Sequence, residues 1–420
     1  MILKLKINII SLYNSNKRFI NTQNHVYNNI KKNIPKSIIK NNLIIAKNAK
    51  GSFVFDINDD KYLDFSCGIG SINFGHNHPK INNAIKNQLD MLTSAQQSLF
   101  YSHISQNILI QKLLPILPKK HDNIFFANSG SECVENALKI AKMSTGKSNV
   151  VALNGGFHGR TLGCMSISSN NISYKKGFGQ LFPCFFINEF TKSSVDLLFQ
   201  KQVSYDDVSC IILEVIQGEN GVRLIPKEFI TYLRKICDLN NIVLIFDEIQ
   251  SGIGRAGSIF AFNKYTEVEP DLICVSKSIA NGAIPFGFVS GNSKIFNKMT
   301  PNSLGGTFNG NALGCVAASC VIDIMNNDNI IENTNKMGKI IKNELNILPK
   351  IMDERQFGLF ISIDLPNEIN SLDFLKKCAK NNLIIHSAAG NSLRIMPPLN
   401  TNEEEIGIFL DTFKKVLNTY

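Results

Sequence analysis

From residue 80 to about 300 the chain alternates short apolar runs with segments of helical periodicity, and this alternation restricts the fold more than any other feature. The runs are IFFA (124–127), NVVAL (149–153), VSCIIL (208–213), IVLIF (242–246) and DLICV (271–275), separated by amphipathic stretches such as KEFITYLRKICDLN (227–240). Runs that are apolar at every position read as strands buried on both faces, and the helical spacers supply crossovers. The expected class is α/β, with a mostly parallel central sheet. The flanks differ. GSFVFDINDDKYLDF (51–65) alternates around an Asn-Asp-Asp turn and reads as a hairpin. Beyond about residue 310 a helical stretch leads to GLFISIDL (358–365), LIIH (383–386) and LRIM (393–396), the pattern of a smaller α+β domain against which the hairpin can pack. At 420 residues the chain is too long for one small core. The expected division is a basic extension at 1–30, a segment at 31–75 that packs with the small domain, a large ligand-binding domain at 76–310, and a small C-terminal domain at 311–420.

The net charge of +10 is unevenly spread. Residues 1–55 hold ten Lys and Arg and no acid, while the remainder is balanced, with 34 basic against 34 acidic residues. Charge confined to a tail suits an address better than a nucleic-acid-binding face. MILKLKINIISLYNSNKRFI, mixing basic, Ser/Asn and bulky apolar residues without acids, has the composition of a mitochondrial transit peptide, so the mitochondrial matrix is the expected location, with the cytoplasm as the alternative. No stretch approaches the roughly 20 apolar residues of a membrane span, and neither membrane nor nucleic-acid partners are expected. The ten cysteines show no CxxC spacing; most lie in apolar runs such as VSCIIL and read as buried free thiols.

In parallel sheets the ligand sits outside the carboxyl ends of the strands. After IFFA, NSGSECVENALKIAK starts a helix near Gly130, with Ser129 and Glu132 spaced as a capping box. Gly130 and Ser131 then offer the first-turn N–H groups to an anion. After NVVAL, Phe157 can stack on a flat ring and Arg160 can grip a carboxylate; His158 reads as structural. After VSCIIL come Glu214 and, in IQGENG, Glu219. Arg394, inside an apolar strand, needs an acid or a ligand, and Glu219 is a possible partner. The run VLIF (243–246) ends in Asp247-Glu248, and DLICV ends in Ser276-Lys277, where a partly desolvated lysine becomes a nucleophile for carbonyls. A phosphate, a flat ring, a cationic ring nitrogen and an aldehyde would satisfy Gly130 and Ser131, Phe157, Asp247 and Lys277. Pyridoxal phosphate has all four.

GSFVFDINDDKYLDFSCGIG, GHNHPKI, NSGSECVENALKIAK, GGFHGRT, IQGENG, IFDEIQSGIGRAG, PDLICVSKSIANG, GGTFNGN and LRIMPPLN occur in the order found in class-III (ω-) aminotransferases. From about residue 40 to the end the chain resembles that family, and the resemblance implies the fold-type I architecture of pyridoxal phosphate transferases. It further implies that Lys277 bonds the cofactor aldehyde and shuttles the proton, that Asp247 pairs with the pyridine nitrogen, and that Gln250 meets the phenolic oxygen. Gly130 and Ser131 would hold the phosphate, with Phe157 over the ring. Thr307 would reach the cofactor of a neighbouring subunit, which implies a homodimer with shared active sites. Arg160 would bind the distal carboxylate of the donor and of 2-oxoglutarate, and Arg394 the α-carboxylate of glutamate, with Glu219 neutralising Arg394 for donors that lack one. Val215 and Ala312 depart from the family pattern, which has proline at both positions. Ile69 and the GGFHGRT and SLGGTFNGN stretches resemble 4-aminobutyrate aminotransferases, whereas ornithine aminotransferases resemble this region with a tyrosine at Ile69. SAAGNSLRIMPPLN resembles acetylornithine aminotransferases. The expected donor is 4-aminobutyrate, with acetylornithine close behind. Two other classes compete: another pyridoxal phosphate enzyme on this fold, and a non-catalytic basic protein acting through its tail.

Overall fold

The structure is a computed structural model and describes residues 23–38, 42, 44–93 and 100–420. The expected transit peptide at 1–20 lies outside the described residues. Seven strands form the central sheet: β1 (Asn123–Ala127), β2 (Asn149–Leu153), β3 (Cys184–Ile187), β4 (Val208–Leu213), β5 (Val243–Asp247), β6 (Leu272–Val275) and β7 (Gly287–Gly291). Their order across the sheet is β1-β7-β6-β5-β4-β2-β3. The β2–β3, β2–β4, β4–β5 and β5–β6 pairs are parallel, and β7 runs antiparallel to both β6 and β1. The five runs read from the sequence are all strands of this sheet. Strands β3 and β7 have no continuous aliphatic run (β7 is GFVSG), and periodicity alone does not reveal them.

Burial explains why these segments are strands. Every residue of β4, β5, β6 and β7 is buried. One face of the sheet packs on the helix Gly130–Thr145, whose Val134, Ala137, Leu138 and Ala141 join Ile212, Ile245 and Cys274 in one apolar cluster. The other face packs into the larger cluster through Ile211, Leu213, Leu244, Phe246 and Ile273. That helix starts where its capping chemistry dictates. The Ser129 side chain accepts from the Glu132 N–H at 3.2 Å, and Gly146 ends the helix in the left-handed conformation.

The hairpin strands Phe53–Asp56 and Lys61–Asp64 do meet the C-terminal part of the chain: Lys61–Asp64 pairs in parallel with Leu383–Ile384. LIIH is not one strand. Its first half joins the hairpin sheet, while His386–Ser387 pairs antiparallel with Ser392–Ile395, the strand that carries Arg394. A single apolar run thus serves two sheets, which periodicity cannot resolve. All ten cysteines are free. Among the described residues, no helix is long and apolar enough to cross a membrane, and no group of His, Cys, Asp and Glu can hold a metal ion.

Candidate active site

The carboxyl ends of β1, β2, β4, β5 and β6 converge on a cavity of about 260 Å³. Its wall includes Gly130 and Ser131 after β1, Phe157 and Arg160 after β2, Glu214 after β4, Asp247 and Gln250 at and after β5, and Lys277 after β6. A larger cavity of about 430 Å³ lies elsewhere, between His78, Asp328 and Asn402. The smaller one concentrates the chemistry.

Gly130 is closely packed: a Cβ there would lie 3.0 Å from Ile249 Cδ1, which would have to shift. The Glu132 carboxylate turns back from this helix start and accepts from the Asn128 N–H at 2.7 Å. Gly159, at φ +126°, brings its loop so close to Ser131 that a Cβ would lie 2.3 Å from the hydroxyl oxygen. The Ser131 hydroxyl accepts from the Arg160 N–H at 3.3 Å.

The two acids at the end of β5 have different environments. Asp247 is buried; one carboxylate oxygen accepts from the Ile249 N–H at 3.0 Å, and the other lies 2.8 Å from His158 Nδ1. Burial opposes charge on that imidazole, but the hydrogen bond and charge of Asp247 outweigh it and raise the His158 pKa. His158 therefore supports the site carboxylate directly, and a lone histidine between Phe157 and Gly159 carried no signal of this. Glu248 points away, accepting from the Ser251 hydroxyl and from the Ala261 and Phe262 N–H groups; burial pushes its carboxyl up to about 7.

Glu214, which the sequence placed at a strand end without a role, is a second residue that supports the site. Its carboxylate accepts from Phe157 N–H at 2.9 Å and from Gly218 N–H at 3.1 Å, tying the two loops that flank the cavity. Burial raises its pKa to about 7, against the pull of His158 and with a further push from Asp247.

Lys277 has a left-handed backbone, φ +46°, directly beyond β6. Burial lowers its amine below the ordinary lysine value; Glu219 opposes that shift and Arg394 adds to it. A lysine strained and desolvated in this way is a carbonyl nucleophile.

Glu219, Arg394, Ile69 and Thr307 are outside the cavity wall. Glu219 and Arg394 nonetheless pair at 2.8 Å, as their residue types required. Arg394 is fully buried and also donates to the Gly218 carbonyl at 3.0 Å and to Gln250 Oε1 at 3.3 Å, and it lies 3.3 Å from His386 Nδ1. Burial would raise the Glu219 carboxyl, but Arg394 and Lys277 prevail and lower it to about 2. Ile69 sits in a run of four left-handed residues, Cys67 to Gly70, an unusual conformation for a β-branched side chain, and its carbonyl accepts from Gln250 Nε2 at 3.3 Å. Thr307 is exposed on a separate loop.

The site's donor set fits pyridoxal phosphate. It offers free N–H groups in a glycine-lined cradle, a buried carboxylate for a ring cation, an aromatic wall and a desolvated amine.

Comparison with known proteins agrees. The Aminotransferase class-III family model matches residues 37–417. Ornithine aminotransferase 1 of Staphylococcus saprophyticus is 34% identical over 89% of this chain and 94% of that protein. Acetylornithine aminotransferase of Streptococcus mutans is 34% identical over 85% and 92%. The probable 4-aminobutyrate aminotransferase of Bacillus subtilis is 32% identical over 87% and 91%. The crystal structure of ornithine aminotransferase from Toxoplasma gondii ME49 superposes with a TM-score of 0.88 at 24% identity, covering 98% of each chain.

Proposed function

The chain belongs to the class-III aminotransferases, with pyridoxal phosphate as cofactor, and from that premise we propose that it moves the terminal amino group of an ω-amino acid to 2-oxoglutarate. The observation that carries this reading is the contrast between two arginines. Arg394 is closed by Glu219 at 2.8 Å, while Arg160 stands exposed at the cavity mouth. A donor with no carboxylate beside its reacting carbon meets the closed pair. Glutamate or 2-oxoglutarate brings an α-carboxylate that replaces Glu219. Leaving Arg394 buried and unpaired in either half-reaction would be costly. Arg160 takes the distal carboxylate in both.

In this reading Gly130 and Ser131 hold the cofactor phosphate, Phe157 covers the ring, Asp247 meets the ring nitrogen and Gln250 the phenolic oxygen. The Lys277 amine would hold the cofactor at its aldehyde and would carry the proton at the substrate carbon. Bound pyridoxal phosphate supplies an electron sink for the carbanion left there. Thr307, exposed and not part of its own cavity wall, would serve the phosphate site of a second copy, so the working unit is a homodimer. The exposed Met91, Phe100 and Ile104 support such docking. The basic, acid-free first 20 residues support a mitochondrial location.

For the donor we place N-acetylornithine ahead of 4-aminobutyrate, reversing the order that the sequence motifs gave. Arg160 is exposed, so an acylated end of the donor has room outside the mouth. Two of the three relatives above are named for ornithine-type donors. Ile69 in place of tyrosine argues against free ornithine. The test is a half-reaction. The holoenzyme receives N-acetylornithine, 4-aminobutyrate or ornithine without acceptor, and the visible band of the lysine-bound cofactor is followed. Bleaching by N-acetylornithine alone is expected. Bleaching by 4-aminobutyrate alone restores the first assignment, and no bleaching by any of the three overturns both donor assignments. Lys277→Ala is expected to abolish turnover.

A further inference from the structure

The Arg160 guanidinium lies over the ring of Tyr174, its central carbon 4.0 Å from the ring centroid. The same ring meets Phe157 edge-on at 5.9 Å. Among the described residues no carboxylate pairs with Arg160, so its close charge-complementary neighbour is an aromatic face. Arginine donates hydrogen bonds in the guanidinium plane and presents its π faces above and below. A ring on one face therefore orients the group and leaves the in-plane donors to a ligand, whereas a protein carboxylate would compete with the substrate's. Arg394 illustrates that second case, with one nitrogen shared among Glu219, Gly218 and Gln250.

Tyr174 is itself held in place. It closes a single helical turn, Ile172–Tyr174, in which the Asn171 side chain accepts from the Ser173 N–H at 2.9 Å. Its other neighbour, Phe157, is anchored through its N–H to Glu214. The ring thus spans from the wall of the cavity to the arginine at the mouth.

We propose that Tyr174 is the positioning residue that presents Arg160 to the distal carboxylate of both substrates, and that the ring face rather than the hydroxyl does so. This rests on the assignment of Arg160 to that carboxylate. The test compares Tyr174→Leu, Tyr174→Phe and Arg160→Leu as holoenzymes, with 2-oxoglutarate as acceptor and pyruvate as an acceptor lacking a distal carboxylate. Tyr174→Leu is expected to raise KM for 2-oxoglutarate about five- to tenfold, the effect of losing one partly exposed cation–π contact. The change should fall on KM rather than kcat, spare pyruvate, and leave the bound-cofactor spectrum intact. Tyr174→Phe should restore KM to within about twofold, because it keeps the ring. If Arg160→Leu raises KM and Tyr174→Leu does not, the proposal falls and the Arg160 assignment stands. If Arg160→Leu has no effect, both fall. Loss of cofactor occupancy in Tyr174→Leu, or a Tyr174→Phe variant as impaired as Tyr174→Leu, also overturns it.

Discussion

Glu214 sits where two loops and two charges meet, and its carboxyl has a folded pKa near 7 because burial disfavours the anion. An acid whose pKa rises on folding stabilises the folded state fully below its unfolded value, about 4.3. That contribution is lost progressively as pH rises toward 7. Glu214→Gln keeps the shape and removes the titration. The stability advantage of the wild type over this variant is therefore expected to shrink between pH 5 and pH 8, read from Tm in parallel buffers. A constant difference would assign Glu214 a hydrogen-bonding role alone. The residue scale is also where sequence reading reached furthest. Lys277, Asp247 and the Gly130-Ser131 turn each follow an apolar run, and the strand end itself flags them. His158 and Glu214 act through partners 89 and 57 positions away, and no local pattern encodes such contacts.

At the scale of elements, β5 decides whether the site forms. It is buried along its length, bonded to β4 and β6, and ends in Asp247. Ile245, fully buried, shares the apolar cluster with the helix Gly130–Thr145, which begins at the anion cradle. Ile245→Ala is expected to cost about 2–5 kcal/mol in urea unfolding and to weaken cofactor retention, since the cavity it leaves lies between strand and helix. A loss below about 1 kcal/mol would mean that the two elements close up without it. The parallel core was legible because aliphatic runs there are continuous. The antiparallel β7 was not, because GFVSG has only two apolar side chains between its glycines, and its place between β1 and β6 comes from tertiary pairing. The division of LIIH between two sheets was hidden for the same reason.

At the scale of the whole molecule, the exposed apolar side chains Met91, Phe100 and Ile104 are those that the proposed dimer would cover. Ile104 is 77% exposed, so a charge there costs the isolated fold little. Ile104→Glu is expected to shift the protein from dimer to monomer in sedimentation and to remove most activity, because Thr307 then has no neighbouring cofactor to reach. An active monomer would separate Thr307 from the site.

The pairing of Leu63 with Leu383 has a consequence for how the protein is made. Strand Lys61–Asp64 leaves the ribosome more than three hundred residues before its partner. At ~5–20 residues per second, that edge waits roughly a quarter of a minute to a minute for completion. The arginine at 394 arrives later still, so no truncated product carries a finished pocket. The nascent chain must keep an unpaired edge from finding other edges for most of its synthesis, because strand Lys61–Asp64 finds its partner only near the carboxyl end of the chain.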